Sequence, residues 1–428
     1  MSILTMFQGV EDHINGTVVE EPGSTGGAVT EATEVALEEV RADVAESVAE
    51  VEQLAEAVAE VQEELKEHEE TVEELTEEVG GLEALLSAGQ FSSTAFAQKY
   101  NRALSLNAKL GGKNFSTLGA ESISDAATAR LASVTGVEGF MDTLKAGASK
   151  AIEYIKHIFN TVINFFVGMV SAASGLARRK EMLSGYLDKK QVKEEVKLGG
   201  WNVGCDYEAE GVDGIGKLLL SSAFDITHDS LPKFMDLGKN LDGVNVSAFK
   251  TAYNALIGDI KGVAKDAGKT SEKATGDKHT VLGTHAGFRI FAVFDEKIEK
   301  DEDCIKAARS IKISFGKTEE AKKFADGKSV KVKATSTQLK GLLKSVDDYV
   351  TEIRSSKVQQ KFSKSERDRV IGTLNVASKS NSDKKADNDK AIALCKAIFV
   401  SSSALTTTMT KLYVYLAKQI MDAVQAHI

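Results

Sequence analysis

From Leu37 onward apolar residues recur in steps of three and four: Leu37, Val40, Val44, Val51, Leu54, Val58, Val61, Leu65, Val72, Leu75, Val79, Leu82 and Leu86. Only Ser47 and His68 interrupt the run. A seven-residue repeat of this kind predicts a coiled coil or a long helix lying on another helix. It begins near Glu31, and Gly80 and Gly81 weaken its end. Ahead of it, Ile3, Leu4, Phe7, Val10 and Ile14 share one face of a short amphipathic stretch that reads as a docking peptide, and residues 16–30 read as a flexible linker. A second helical signal spans 144–187, where Ile152, Ile155, Ile158, Phe159, Val162, Ile163, Phe166, Val167 and Val170 form a broad apolar face closed by Arg178, Arg179 and Lys180. Between the two signals, residues 90–120 are rich in Ser, Thr, Ala, Asn and Gly and read as an accessible connector.

Beyond Val192 the pattern is mixed. Partial alternation predicts strands at 198–207, 285–294, 310–315 and 329–334, while helical periodicity predicts helices at 247–267, 337–353, 365–376 and 391–426. The expected fold class is mainly α with a small β component (α+β). Its divisions are a docking peptide and linker (1–34), an acidic coiled-coil-like helix (35–88), a connector (89–121), an amphipathic helical region (122–190) and a mixed body (191–428).

Charge sharpens this division. The 428 residues carry 53 Lys plus Arg against 63 Asp plus Glu, a net charge of −10. Residues 1–90 hold 24 acidic side chains and two basic ones, Arg41 and Lys66, for −22, which leaves +12 on the remainder. Such asymmetry points to an acidic appendage on a domain that meets polyanions. The flanks of the repeat are nearly all Glu, so like charges would face each other in a homodimer. The helix therefore gains from a basic partner, either this protein's own body or other scaffold subunits. A solvated acidic helix with only structural use is the alternative. In the body, dispersed cations including Lys322, Lys323, Lys331, Lys333, Lys384 and Lys385 suit sequence-independent phosphate contact, and equally an ordinary lysine-rich surface. No aromatic-rich stretch favours specific single-strand recognition.

Chemical motifs are sparse. Cys205, Cys304 and Cys395 lie far apart, and the odd count argues against a disulfide framework and for a reducing compartment. The N-terminus lacks the pattern of a signal peptide. Residues 158–177 carry no charge and are long enough to span a bilayer, but Asn160, Thr161, Asn164, Gly168, Ser171, Ser174 and Gly175 favour a buried amphipathic helix. Gly211 to Lys217 fits seven positions of a phosphate-binding loop, yet Leu218 replaces the hydroxyl that would hold magnesium, so a turn before a helix at 218–224 is the better reading. His279 and His285 have no third ligand nearby, and His228 beside Asp229 reads as a capping residue. No metal and no cofactor are expected, and the chain reads as a non-enzyme.

Residues 114–188 carry Leu118, Glu121 and Ser122 in an L-x-x-E-S arrangement, then Arg130, then Glu138 and Gly139, then an amphipathic helix running to Arg178 and Arg179. With the acidic repeat ahead of them, these features resemble the internal head, or prohead core, proteins of giant tailed bacteriophages of the phiKZ type. The resemblance covers about the first 190 residues. It implies a virion structural protein packaged inside the capsid, with an acidic propeptide that acts in prohead core assembly and is removed by a prohead protease cutting after Glu in a small-x-Glu context. Gly119-Ala120-Glu121 fits best and leaves Ser122 as the new N-terminus; Glu83 and Glu138 end weaker matches. A cut after Glu121 removes −19 of charge and leaves +9. The implied partners are the prohead protease, other capsid core or scaffold proteins, and packaged DNA held by non-specific charge, with a membrane the less favoured partner. The implied location is inside the phage head, and the host cytoplasm during assembly. The rival reading is a host-directed effector ejected with the genome, membrane-active through 158–177 or enzymatic within 191–428. A cellular coiled-coil adaptor fits the Glu-only flanks less well.

Overall fold

The computed structural model describes residues 29–87, 91–378 and 385–428, apart from 114, 120, 122, 124 and 242. Within its helices the side chains of 29–41, 43–48, 50, 51, 69, 130–135, 137, 145–151, 385 and 386 are not described. The heptad run forms one helix, α1 (Val29–Ser87), that continues through Gly80 and Gly81. Its apolar stripe turns inward: Ala55, Val58, Val61, Leu65, Leu75, Val79 and Leu82 are buried. The partner is α3 (Ala126–Lys189), which starts well before residue 144 because Asp125 caps it, accepting from the Thr128 N–H at 2.8 Å. Leu54 lies against Gly168, and the His68 ring sits 5.4 Å from that of Tyr154. The numbers fall along α3 as they rise along α1, so the two helices are antiparallel.

Residues 90–120 correct the expectation of a bare connector. They contain α2 (Ser93–Lys109), capped by Ser92 and burying Phe96, Tyr100, Ala103 and Leu106. That helical spacing was diluted by the small polar residues between. Gly136 of α3 makes room for α2: a Cβ there would stand 2.1 Å from the Tyr100 hydroxyl.

The body is built around helices α4 (Val246–Asp266), α5 (Asp301–Ser310), α6 (Ser336–Ser355), α7 (Lys364–Ser378) and α8 (Lys385–Ala426). Four of these realise the helices expected at 247–267, 337–353, 365–376 and 391–426. Helix α8 is buried on nearly every side, touching α1, α3, α5, α6 and α7. Three of its buried hydroxyls are satisfied within the helix: Thr406, Thr407 and Thr410 each donate to the carbonyl four residues back, at 2.7–2.9 Å. At the end of α3, Arg179 is fully buried and donates to Asp422 and Gln425, both at 2.6 Å, while Lys180 pairs with Asp347 of α6 at 2.5 Å. Two of the three cations closing the apolar run are thus clamps inside the body.

Two sheets complete it. Strand β1 (Glu195–Lys197) pairs with β6 (Ser329–Lys331). A four-stranded antiparallel sheet runs in the order β2 (Lys269–Thr275), β3 (Lys278–His285), β4 (Phe288–Asp295), β5 (Lys312–Lys317). Ala286 and Gly287, with φ of 46° and 82°, make the two-residue turn between β3 and β4, which splits the strand expected at 285–294. Helix α4 covers one face so closely that a Cβ on Gly283 would fall 1.9 Å from the Ala264 carbonyl oxygen.

The strand expected at 198–207 does not form. Trp201, Val203, Cys205 and Tyr207 alternate in sequence, but a 3-10 turn at Gly200–Asn202 and Gly204 at φ 91° fold the segment so that all four are buried. The helix expected at 218–224 shifts to Ser221–Asp225 and runs into a π turn, Ile226–Ser230. With 72% helix and 10% strand, the chain is mainly α with a small β component.

Candidate functional site

The acidic helix is seated by its apolar stripe, and its carboxylates face outward. Glu56, Glu60, Glu63, Glu67 and Glu74 are exposed. Among the described residues one ion pair joins α1 to the body, Arg309 to Glu73 at 2.9 Å. Gln62 adds a hydrogen bond to Ser403 Oγ at 2.6 Å. Further charge partners come from α2, where Lys99 meets Glu78 at 2.9 Å and Arg102 meets Glu74 and Glu78, each at 3.3 Å, and from α1 itself, where Lys66 meets Glu63 at 3.3 Å and Glu70 at 3.9 Å. The body is therefore α1's partner through hydrophobic burial, and ionic contact is the minor term. A cavity of about 680 Å³ separates α1 from the β4–β5 corner of the sheet and from α8, walled by Glu63, Lys66 and Glu70 on one side and by Phe291, Val293 and Lys312 on the other.

The three glutamates of the small-x-Glu pattern occupy different settings. Glu121 is exposed in the segment between α2 and α3. That segment is pinned on both sides. Asn101 exchanges two hydrogen bonds with the Leu118 backbone, at 2.8 and 2.9 Å, and Ile123 is buried. Ser122 lies outside the described residues. Glu83 and Glu138 are also exposed, but each stands within a helix, α1 and α3 respectively, where the backbone is hydrogen-bonded and held away from extended geometry.

The cations singled out in the sequence come from separate elements. Lys322 and Lys323 are exposed on a short helix, Ala321–Phe324, and Lys331 is exposed on β6. Lys333 turns its ammonium to the Glu208 carbonyl. Lys385 opens α8, and Lys384 lies outside the described residues. A different set of cations, which sequence reasoning missed, lies on the face of the four-stranded sheet opposite α4. The strand β2 that carries two of them has no apolar run to announce it.

The tempting motifs resolve into structure. Gly211 to Lys217 forms a helical turn, Val212–Gly216, with Lys217 paired to Glu210 at 2.5 Å. His228 lies in the π turn and meets the carboxylate of Glu352, a residue almost wholly buried; burial pushes that carboxyl above its usual range, against the lowering influence of Thr227 and His228. All three cysteines are free and buried, and burial pushes the Cys304 thiol up to about 11 and that of Cys395 up to about 12. Two helical stretches, Ile152–Lys189 and Asp387–Ala426, have the length and composition to cross a membrane, and the second is 72% buried in the fold. Over 158–177 the helix buries Ile158, Phe159, Val162, Phe165, Phe166 and Met169 and exposes Val167 and Val170, the amphipathic arrangement expected.

A family model for phiKZ-like phage internal head proteins matches residues 31–428, so the likeness seen in the first 190 residues extends through the whole body. No curated protein and no solved structure matches the chain. An acidic helix seated on a mostly helical body and a family match over nearly the whole length lead to one conclusion: the chain belongs to the phiKZ-like phage internal head proteins, virion components housed in the capsid among other head components.

Proposed function

We propose that residues 1–121 are a propeptide that acts in prohead core assembly and is removed by a prohead protease between Glu121 and Ser122. The observation that carries this reading is the position of Glu121, exposed in a 3-10 turn outside the α-helices, at the junction between the acidic α1–α2 unit and α3. A protease needs several residues in extended form, and a short segment between helices reaches that form at less cost than the interior of α1 or α3. Much of the outward row of glutamates on α1 stays available to other core subunits, because the apolar stripe does most to hold the helix to its own body. The role is structural, with no chemistry assigned to the body, and the mature chain keeps a charge of +9 for contact with packaged DNA.

N-terminal mass spectrometry of this protein from purified particles tests the proposal. A mature form beginning at Ser122 is expected. The intact chain as the sole form in particles, or a start at Ala84 or Gly139, would overturn the assignment of Glu121.

A further inference from the structure

In an antiparallel ladder, residues directly opposite share a face of the sheet. The face of β2–β5 turned toward α4 carries Val281, Ile290 and Ala292, all buried. The opposite face is set by the same register. Lys269 and Arg289 belong to one row across the strands, with Thr284 between them. Lys273 and Lys312 end another row, joined through Thr280 and Val293. Leu282 pairs with Phe291 in the row between. The other positions of these three rows are Ser or Gly, and none is acidic.

All four cations are exposed, and among the described residues no ion pair engages any of them. Many of the body's other cations are paired, among them Lys180, Lys217, Lys239, Lys361 and Lys390. Four unpaired cations in three rows without a carboxylate repel one another and await an anion; the next row of the same face, Thr275, Lys278 and Asp295, holds a cation and a carboxylate opposite each other. Strand spacing puts Lys269 and Arg289 roughly 10 Å apart, Lys269 and Lys273 about 13 Å apart, and Lys273 and Lys312 about 14 Å apart. Those separations match phosphates across the ~12 Å major groove of duplex DNA. Phe291, 37% exposed, is the sole aromatic in the three rows, too little for a run of stacked bases.

Over the β4–β5 end of this face stand α1 and α8, and α1 presents Glu63 and Glu70, with Lys66 paired to both, across the cavity from Phe291 and Lys312. We propose that the outer face of β2–β5 is a sequence-independent site for the phosphates of duplex DNA, built on Lys269, Lys273, Arg289 and Lys312, and that acidic α1 holds DNA off it until the propeptide leaves. The second half rests on the propeptide reading above; the DNA-binding face does not.

The test uses the full chain and an arbitrary-sequence duplex in a fluorescence-anisotropy titration across a fourfold range of salt. Neutralising α1 with Glu63→Gln and Glu70→Gln is expected to strengthen duplex binding several-fold over wild type. In that background four phosphate contacts give a log–log salt slope near −3.6, or a loss of about 150-fold over the range. Adding Lys269→Gln, Lys273→Gln, Arg289→Gln and Lys312→Gln is expected to abolish that binding and flatten the slope, with an unchanged circular dichroism spectrum showing that the fold survives. Equal affinity and slope with and without the four cations would overturn the site, as would the absence of duplex binding in the α1-neutralised chain. Loss of single-strand binding alone in Phe291→Ala, with duplex binding absent throughout, would give the face to single strands and overturn the duplex assignment. A mature N-terminus at Ser122 in particles alongside failed binding would remove this inference and leave the propeptide reading standing.

Discussion

The chain builds two hydrophobic cores of different parentage. The main core draws on α3, α4, α6, α8 and the sheet, and takes from α1 little more than Ala55, Val58, Val61 and Leu65. The satellite core takes Leu75, Val79 and Leu82 from α1 and Phe96, Tyr100, Ala103 and Leu106 from α2, then closes on Ile123, Ala129 and Phe140 beyond Glu121. One core is nearly complete without the first 121 residues, and the other is assembled across that position. A backbone break at Glu121 leaves both sets of contacts in place, so covalent release and physical release of the acidic segment are separate events. The same difference explains how a helix with an unbroken row of glutamates sits on a folded body. Burial of a few aliphatic side chains holds it, each worth about 1.5–3 kcal/mol, against less than about 1 kcal/mol for an exposed ion pair.

Mutations sharpen the comparison, beginning with the largest effect. Phe399, fully buried and 5.1 Å from the Phe159 ring, belongs to the main core; Phe399→Ala is expected to cost about 3–5 kcal/mol and to lower the midpoint of global denaturant unfolding. Leu82→Ala removes a side chain of the satellite core just as deeply buried, at about 2–5 kcal/mol, but its effect should stay local. Hydrogen exchange should then show lost protection in α1's last turns and in α2 while the global midpoint holds. A global shift as large as that of Phe399→Ala would merge the two cores into one cooperative unit.

Inside the main core Glu352 is a weak point, with its Oε1 lacking a hydrogen-bond partner among the described residues. Its folded-state pKa is raised by burial, so the stability linked to its protonated form is fully present below the unfolded value of about 4.5 and is lost as pH rises through the folded value. Glu352→Gln should therefore raise the denaturation midpoint relative to wild type at pH 8 and give no gain at pH 4. An equal change at both pH values would remove the titration from the explanation.

The smallest effect is expected at the ionic link between α1 and the body. The Glu73 side chain is 63% exposed and that of Arg309 34%, so Glu73→Gln should change stability by less than about 1 kcal/mol and leave the exchange protection of α1 unaltered. Undocking of α1 in this variant would show that charge, and not the apolar stripe, seats the helix.

Much of the helical framework was legible because each helix announces itself locally. The threes and fours from Leu54 to Leu82 specify both that α1 is helical and which stripe it buries, and helices α4, α6, α7 and α8 begin and end close to their expected limits. The cleavage candidates were equally legible as motifs, and their different settings were not: Gly81-Leu82-Glu83 and Gly119-Ala120-Glu121 look alike as strings until one proves helical and the other lies between helices. Helix α2 went unseen because its larger buried side chains, Phe96, Tyr100 and Leu106, are spread through Ser, Asn and Ala. Strand β2 went unseen because KTSEKAT is wholly exposed and has no apolar partner face to display.

What the amino-acid order determined by itself was periodicity and charge: a long acidic helix with one apolar stripe, an amphipathic second helix, and an excess of cations in the body. Tertiary structure alone decided which surface that stripe would cover, that Arg179 would be buried on Asp422 while Lys269, Lys273, Arg289 and Lys312 would share an open face, and that Glu121 would stand between two packed units. The reason is physical. Helix and strand propensities act between residues a few positions apart, whereas strand register, helix docking and the pairing of distant charges depend on which elements share the limited apolar surface that folding can bury.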